Sequence, residues 1–269
     1  MTRREEARIL VLKPLLDEVA DRFNRREFIA DDPVSVPHRF SIKQDIEIAG
    51  LFAATLAWGK RQTIIKNCDR LLGLMDNAPY AFMRGHRESD LKRMARFVHR
   101  TFNATDLLYF ISFLEHHYRD HESLESLFSV SAEQASVEGG LIHFHNTFFS
   151  LTGFPARTRK HIATPERKSA CKRMNMYLRW MVRRDNRGVD FGLWRTIQPR
   201  QLVCPCDVHV ERVARKLKLI RRKSLDWSAA VELTDSLRLL DPDDPVRYDF
   251  ALFGMGLMDA EKRRGVIGH

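Results

Sequence analysis

Cysteine is scarce in this chain and badly spaced for metal. The four residues fall at 68, 171, 204 and 206. None forms a Cys-x-x-Cys pair, which argues against a structural zinc site. Long apolar runs are missing too. No stretch approaches the roughly 18 residues of a membrane span, so no membrane partner is expected. The opening MTRREEARILVLK is charged throughout, unlike a secretory leader. A cytosolic, reduced setting is expected. Internal repeats and low-complexity segments are absent, and strand-like alternation is rare. Acidic residues are outnumbered, 35 against 45 Lys and Arg, leaving a net charge of +10 and a pI of about 9.7. Such a surface suits a polyanionic partner, nucleic acid first among them. Hydrophobic residues are not lacking. They make up 44% of the chain, with 17 Phe, enough to bury a sizeable core and to exclude disorder as the default.

Apolar residues recur mostly at helical spacing, which predicts an all-α fold. A first helix is expected over 2–23, kinked or split by Pro14. Residues 29–40 read as a turn-rich connection with Pro33 and Pro37. Further helices are expected from Ser41, over 63–75, over 90–102 (a basic one), from Asp106, over 137–151, Lys172 to Arg183, Val208 to Leu217, Ser224 to Leu239, and after Pro245. His116, His117 and His121 lie close in sequence, but no Glu stands where a His-Glu-x-x-His site needs it. Neither a metal nor a cofactor is expected.

Two residues stand out as chemical. Lys172 opens an amphipathic helix among Arg167, Lys168 and Arg173. Cationic neighbours favour the neutral amine, and a neutral amine is a nucleophile. Asp207 follows Pro205 and Cys206 just before another helix, where backbone N–H groups hold a carboxylate ionised. An ordinary solvated Lys and a simple helix cap remain the alternatives. Trp58, Gly59, Lys60, Arg61 and Gln62 sit together at a helix end. Those side chains can stack on bases, pair with phosphates and read base edges, or else form an ordinary packed helix end. Asp249 and Phe253, four apart, share one face of the last helix.

The pattern P-x-D-V-H-V-x-R-V-A-R, about 35 residues after a helix-starting Lys, resembles the helix–hairpin–helix DNA glycosylase superfamily. The likeness is nearest to the archaeal 8-oxoguanine DNA glycosylases. A bacterial family of unassigned function is closer still, through ATLAWGKRQTIIKN, SACKRMNMYLRWMVR, CPCDVHVERVARKL and DPVRYDFALFGMG. The resemblance implies a monomeric DNA repair enzyme that excises a damaged base from duplex DNA and cuts the strand as an AP lyase. Its single catalytic domain would have two lobes, one of about 45–183 with Lys172, the other of about 1–44 plus 184–269 with Asp207. It implies Lys172 as nucleophile and Asp207 as the catalytic carboxylate. Asp249, Phe253, Gln62 and Met176 would hold the base, an oxidised purine such as 8-oxoguanine. Trp58, Lys60, Arg61, Arg167, Lys168, His209 and Arg212 would hold the DNA. The superfamily's Gly-x-Gly hairpin is degenerate here, replaced by Pro165-Glu166-Arg167-Lys168. Some members carry an iron–sulfur cluster near the C-terminus, and no cysteine follows Cys206 to build one. A non-catalytic nucleic-acid binder and a base-removing enzyme on RNA or nucleosides remain as other readings.

Overall fold

The computed structural model describes residues 2–266. Among these residues the protein is all-α apart from one small hairpin. In chain order the helices are α1 (Arg3–Leu10), α2 (Lys13–Phe23), α3 (Lys43–Leu56), α4 (Arg61–Gly73), α5 (Pro79–Gly85), α6 (Glu88–Met94), α7 (Ala104–Asp120), α8 (Glu138–Phe148), α9 (Lys172–Val182), α10 (Val208–Lys216), α11 (Trp227–Arg238) and α12 (Asp249–Val266). Pro14 splits the first expected helix, standing in the first turn of α2 where its missing N–H costs nothing.

The basic helix expected over 90–102 stops at Met94. Val98–His99 then pairs antiparallel with Phe102–Asn103. The reversal uses Arg100 at φ +56°. Phe97 and Phe102 are driven into the core, and a short hairpin buries both.

By packing, the chain divides into two compact units. One comprises Met1–Phe28, Ser131–Val137 and Pro165–His269, the other Ile29–Val130 and Glu138–Thr164. These bounds differ from the lobes implied by the resemblance, because α9 belongs with Asp207 in the first unit. The carbonyls of Trp180 and Met181 accept from the N–H groups of Phe191 and Trp194, which ties α9 to the chain that follows it.

In the second unit α3 is buried on nearly every face from Asp45 to Leu56. Its Glu47 carboxylate lies fully inside, accepting from the Tyr118 hydroxyl at 3.0 Å and the Leu124 N–H at 3.0 Å. Such partners are what a buried charge requires. Around it Phe52, Phe102, Phe110, Phe113, Phe144 and Phe148 fill the core, several edge-to-face.

In the first unit α2 packs on α12. Gly254 permits that approach: a Cβ there would lie 2.2 Å from the Phe23 ring. α10 carries Val210, Val213 and Ala214 inward, and its N-terminus presents Asp207.

Candidate functional site

Lys172 is the first residue of α9, so its placement depends on the turn before it. Lys168 and Cys171 both adopt left-handed backbone, at φ +59° and +48°. Each costs about 1 kcal/mol or more for a non-glycine residue. Neighbouring groups brace the turn. Asn175 Nδ2 donates to the Ala170 carbonyl at 3.1 Å, and the Trp227 N–H to the Lys168 carbonyl at 3.3 Å. The Cys171 N–H donates to Ser169 Oγ at 3.2 Å. No side chain caps the start of α9. Arg167 and Lys168 are exposed on this turn.

Asp207 is held by its own helix. Its Oδ1 accepts from the N–H groups of His209 and Val210 at 2.9 and 3.0 Å. That leaves Oδ2 turned to Lys172 Nζ, 3.9 Å away, with both side chains 29% exposed. The Lys172 ammonium also donates to the Met176 thioether at 3.4 Å. Two expected chemical residues thus meet inside one unit, open enough for a ligand to reach them.

Behind this pair lies a buried ionic network. Arg179, 4% exposed, donates from Nε to Asp190 Oδ1 at 3.2 Å and from Nη1 to Asp249 Oδ2. Arg183 holds Asp185, Asp190 and Asp244 at 2.6, 3.1 and 2.9 Å. Burial pushes the Asp249 carboxyl up to about 6, against the pull of Arg179 and Lys172. Burial likewise pushes the Cys206 thiol up to about 12 and Cys204 well above its usual value. Both cysteines are therefore packing groups, not nucleophiles. Among the described residues no group of three or more His, Cys, Asp or Glu is placed to hold a metal ion. No helix among them is long and apolar enough to cross a membrane.

The other expected site residues are spread more widely. Asp249 is engaged by Arg179, and the Phe253 ring meets Phe28 edge-on at 5.6 Å. Met176 is nearly buried beside Lys172. His209 is exposed on α10, and Arg212 is half-buried with no hydrogen-bond partner for Nε or Nη2. Trp58, Lys60, Arg61 and Gln62 lie in the second unit, where α3 gives way to α4. There the Trp58 ring packs on His161 at 5.4 Å and on His99 at 5.9 Å. Gly59, at φ +105°, would place a Cβ 3.0 Å from Arg100 Nη1. Lys60 and Gln62 are exposed, and Arg61 is half-buried.

Sequence reasoning missed Arg179, Arg183 and Asp190. Arg179 and Arg183 follow Lys172 by seven and eleven positions, along one helical face, a spacing that does not by itself mark them as buried.

The fold and this geometry define an all-α protein with a Lys–Asp pair mounted on two helix starts. The chain belongs to DUF2400, a family described as proteins of unknown function, whose model matches residues 32–258. No curated protein and no solved structure matches it.

Proposed function

We propose that this protein is a DNA glycosylase with β-lyase activity, acting on an oxidised purine such as 8-oxoguanine. The observation that carries this reading is the placement of Lys172 Nζ 3.9 Å from Asp207 Oδ2 at a partly exposed position. The damaged nucleotide turns out of the stack. The neutral amine of Lys172 forms a bond to C1′ as the C1′–N9 bond breaks, and the base leaves with that electron pair and gains a proton. Asp207, held by two backbone N–H groups at its helix start, stabilises the positive charge that builds on the sugar. Ring opening gives a Schiff base, and loss of a C2′ proton expels the 3′ phosphate. Arg167, Lys168, His209 and Arg212 flank the pair and would meet backbone phosphates. The braced left-handed turn at 168–171 supports the same reading, since backbone strain is retained where surrounding structure enforces it. The resemblance, which implies that Asp249 and Phe253 on α12 hold the base, is the reason for preferring a purine.

Borohydride reduction tests it. The protein should be trapped covalently on a duplex bearing 8-oxoguanine. Lys172→Gln should abolish trapping and keep DNA binding, because one cation among many is lost. Asp207→Asn should slow base release about a hundredfold or more. Absence of any adduct or free base across oxidised purines, oxidised pyrimidines and abasic sites would overturn the reading and leave a nucleic-acid binder. Release only from RNA or free nucleosides would move the activity to those substrates.

A further inference from the structure

The buried network behind α9 is short of positive charge. Arg179 holds Asp190 and Asp249, and Arg183 holds Asp185, Asp190 and Asp244. Two guanidiniums thus serve four carboxylates, a shortfall of two when all are ionised. Among the described residues no other Lys or Arg side chain is ion-paired with these four carboxylates. The flanking pairs do not repair the shortfall. Lys13 meets Asp17 at 3.2 Å, Arg187 meets Asp21 at 2.6 Å and Arg247 meets Asp241 at 3.3 Å, one cation for each carboxylate.

A cavity of about 240 Å³ adjoins this network within the first unit. Asp21, Asp185, Asp241, Asp244, Asn24 and Arg183 line it. Hydrogen bonding is incomplete at the same place. Asn24, 6% exposed, donates from Nδ2 to Asp185 Oδ2 at 2.7 Å, while its Oδ1 has no partner. Asp244 accepts from Arg183 Nε at Oδ2, at 2.9 Å, and its buried Oδ1 has no partner either. Buried acceptors are almost always satisfied, and buried charges need a counter-charge. Both shortages on this cavity are met by N–H donors that carry positive charge. Water supplies donors but no charge.

We propose that this cavity binds a small organic dication, a diamine or the diamine end of a polyamine. Its two ammonium groups match the shortfall of two, and each brings three N–H donors to carboxylates and to the Asn24 amide. A divalent metal fits less well. Among the described residues no group of three or more His, Cys, Asp or Glu is placed to ligate one, and the Arg183, Arg187 and Arg247 guanidiniums on the wall oppose a concentrated charge. Protons close the gap only in acid. Burial pushes the Asp249 carboxyl up to about 6. Burial also raises that of Asp244, with Asp241 and Asp190 pushing the same way against Arg183. At pH 8 Asp249 is ionised, and the network lacks its counter-charge.

The site needs neither Lys172 nor DNA, so its test stands apart from trapping. The full-length protein is titrated calorimetrically with 1,4-diaminobutane at pH 8 and fixed ionic strength. Saturable binding of one diamine per chain is expected. Asp244→Asn should weaken it about tenfold or more, because a carboxylate facing the ligand loses its charge. Asn24→Leu should weaken it as well. Asp235→Asn, on α11 and outside the cavity, should leave it unchanged. Propylamine, with a single charge, should bind more weakly, and magnesium chloride should not compete at equal ionic strength. Absence of saturable binding, equal binding of magnesium, or an affinity unchanged in Asp244→Asn overturns the proposal. Should Asp244→Asn fail to fold, Asp21→Asn at the exposed rim takes its place, and an unchanged affinity there overturns it.

Discussion

Replacing Asp249 with Asn should change how stability depends on pH, by an amount that follows from burial. In the folded protein the Asp249 carboxyl is pushed up to about 6. In the unfolded chain it titrates near the ordinary value of about 3.9. The folded state therefore holds the proton more tightly. The stability gained from protonation is fully present below pH ~3.9 and is lost as pH rises through ~6. At pH 5 it amounts to about 1 kcal/mol, and at pH 8 to about zero. Asn at this position cannot titrate. Loss of the Arg179 ion pair adds a cost that is greatest at high pH, where Asp249 is ionised, and this already enters the raised value. Urea melts of both proteins at pH 5, 6, 7 and 8 should therefore diverge. The wild type should gain about 1 kcal/mol on the variant between pH 8 and pH 5. Parallel stability curves, or a gap that closes toward acid, would refute the assignment of a buried, reluctantly ionised carboxylate.

Arg183→Met should destabilise the protein by about 3–5 kcal/mol, because Asp190 and Asp244 lose a buried cation; urea melts at pH 7 check it. Asp207→Ala should cost about 1 kcal/mol through the lost cap, and Asp207→Asn much less, by the same melts. The partly exposed Lys172–Asp207 pair adds little to either figure.

Much of the helical framework was legible because apolar residues mark helix faces without reference to their partners. The helix start at Asp207 was readable for the same local reason, a polar cap before an apolar period, and that at Lys172 from the apolar period alone. The hairpin at 98–103 was not. Its strands are two residues each, too short to show alternation, and the surrounding Arg and Lys read as a solvated helix. Arg179 was missed because an arginine on an amphipathic helix is usually solvated. What buries it are Asp190 and Asp249, eleven and seventy positions away, and no local pattern reports a partner that distant. The pairing of Asp249 with Arg179 was hidden in the same way.

The first unit is split in sequence: its opening helices, α1 and α2, are separated from α9–α12 by the whole of the second unit. On the ribosome the second unit can close once residue 164 has emerged. The chain's first helices must wait for α12, against which α2 packs. Until then α2 has an apolar face and no partner, a stretch for a chaperone to shield. Lys172 waits as well, since Trp227 braces the turn beneath it. A chain halted before α11 would thus leave the turn that carries Lys172 without that brace, so that only near-finished copies acquire it.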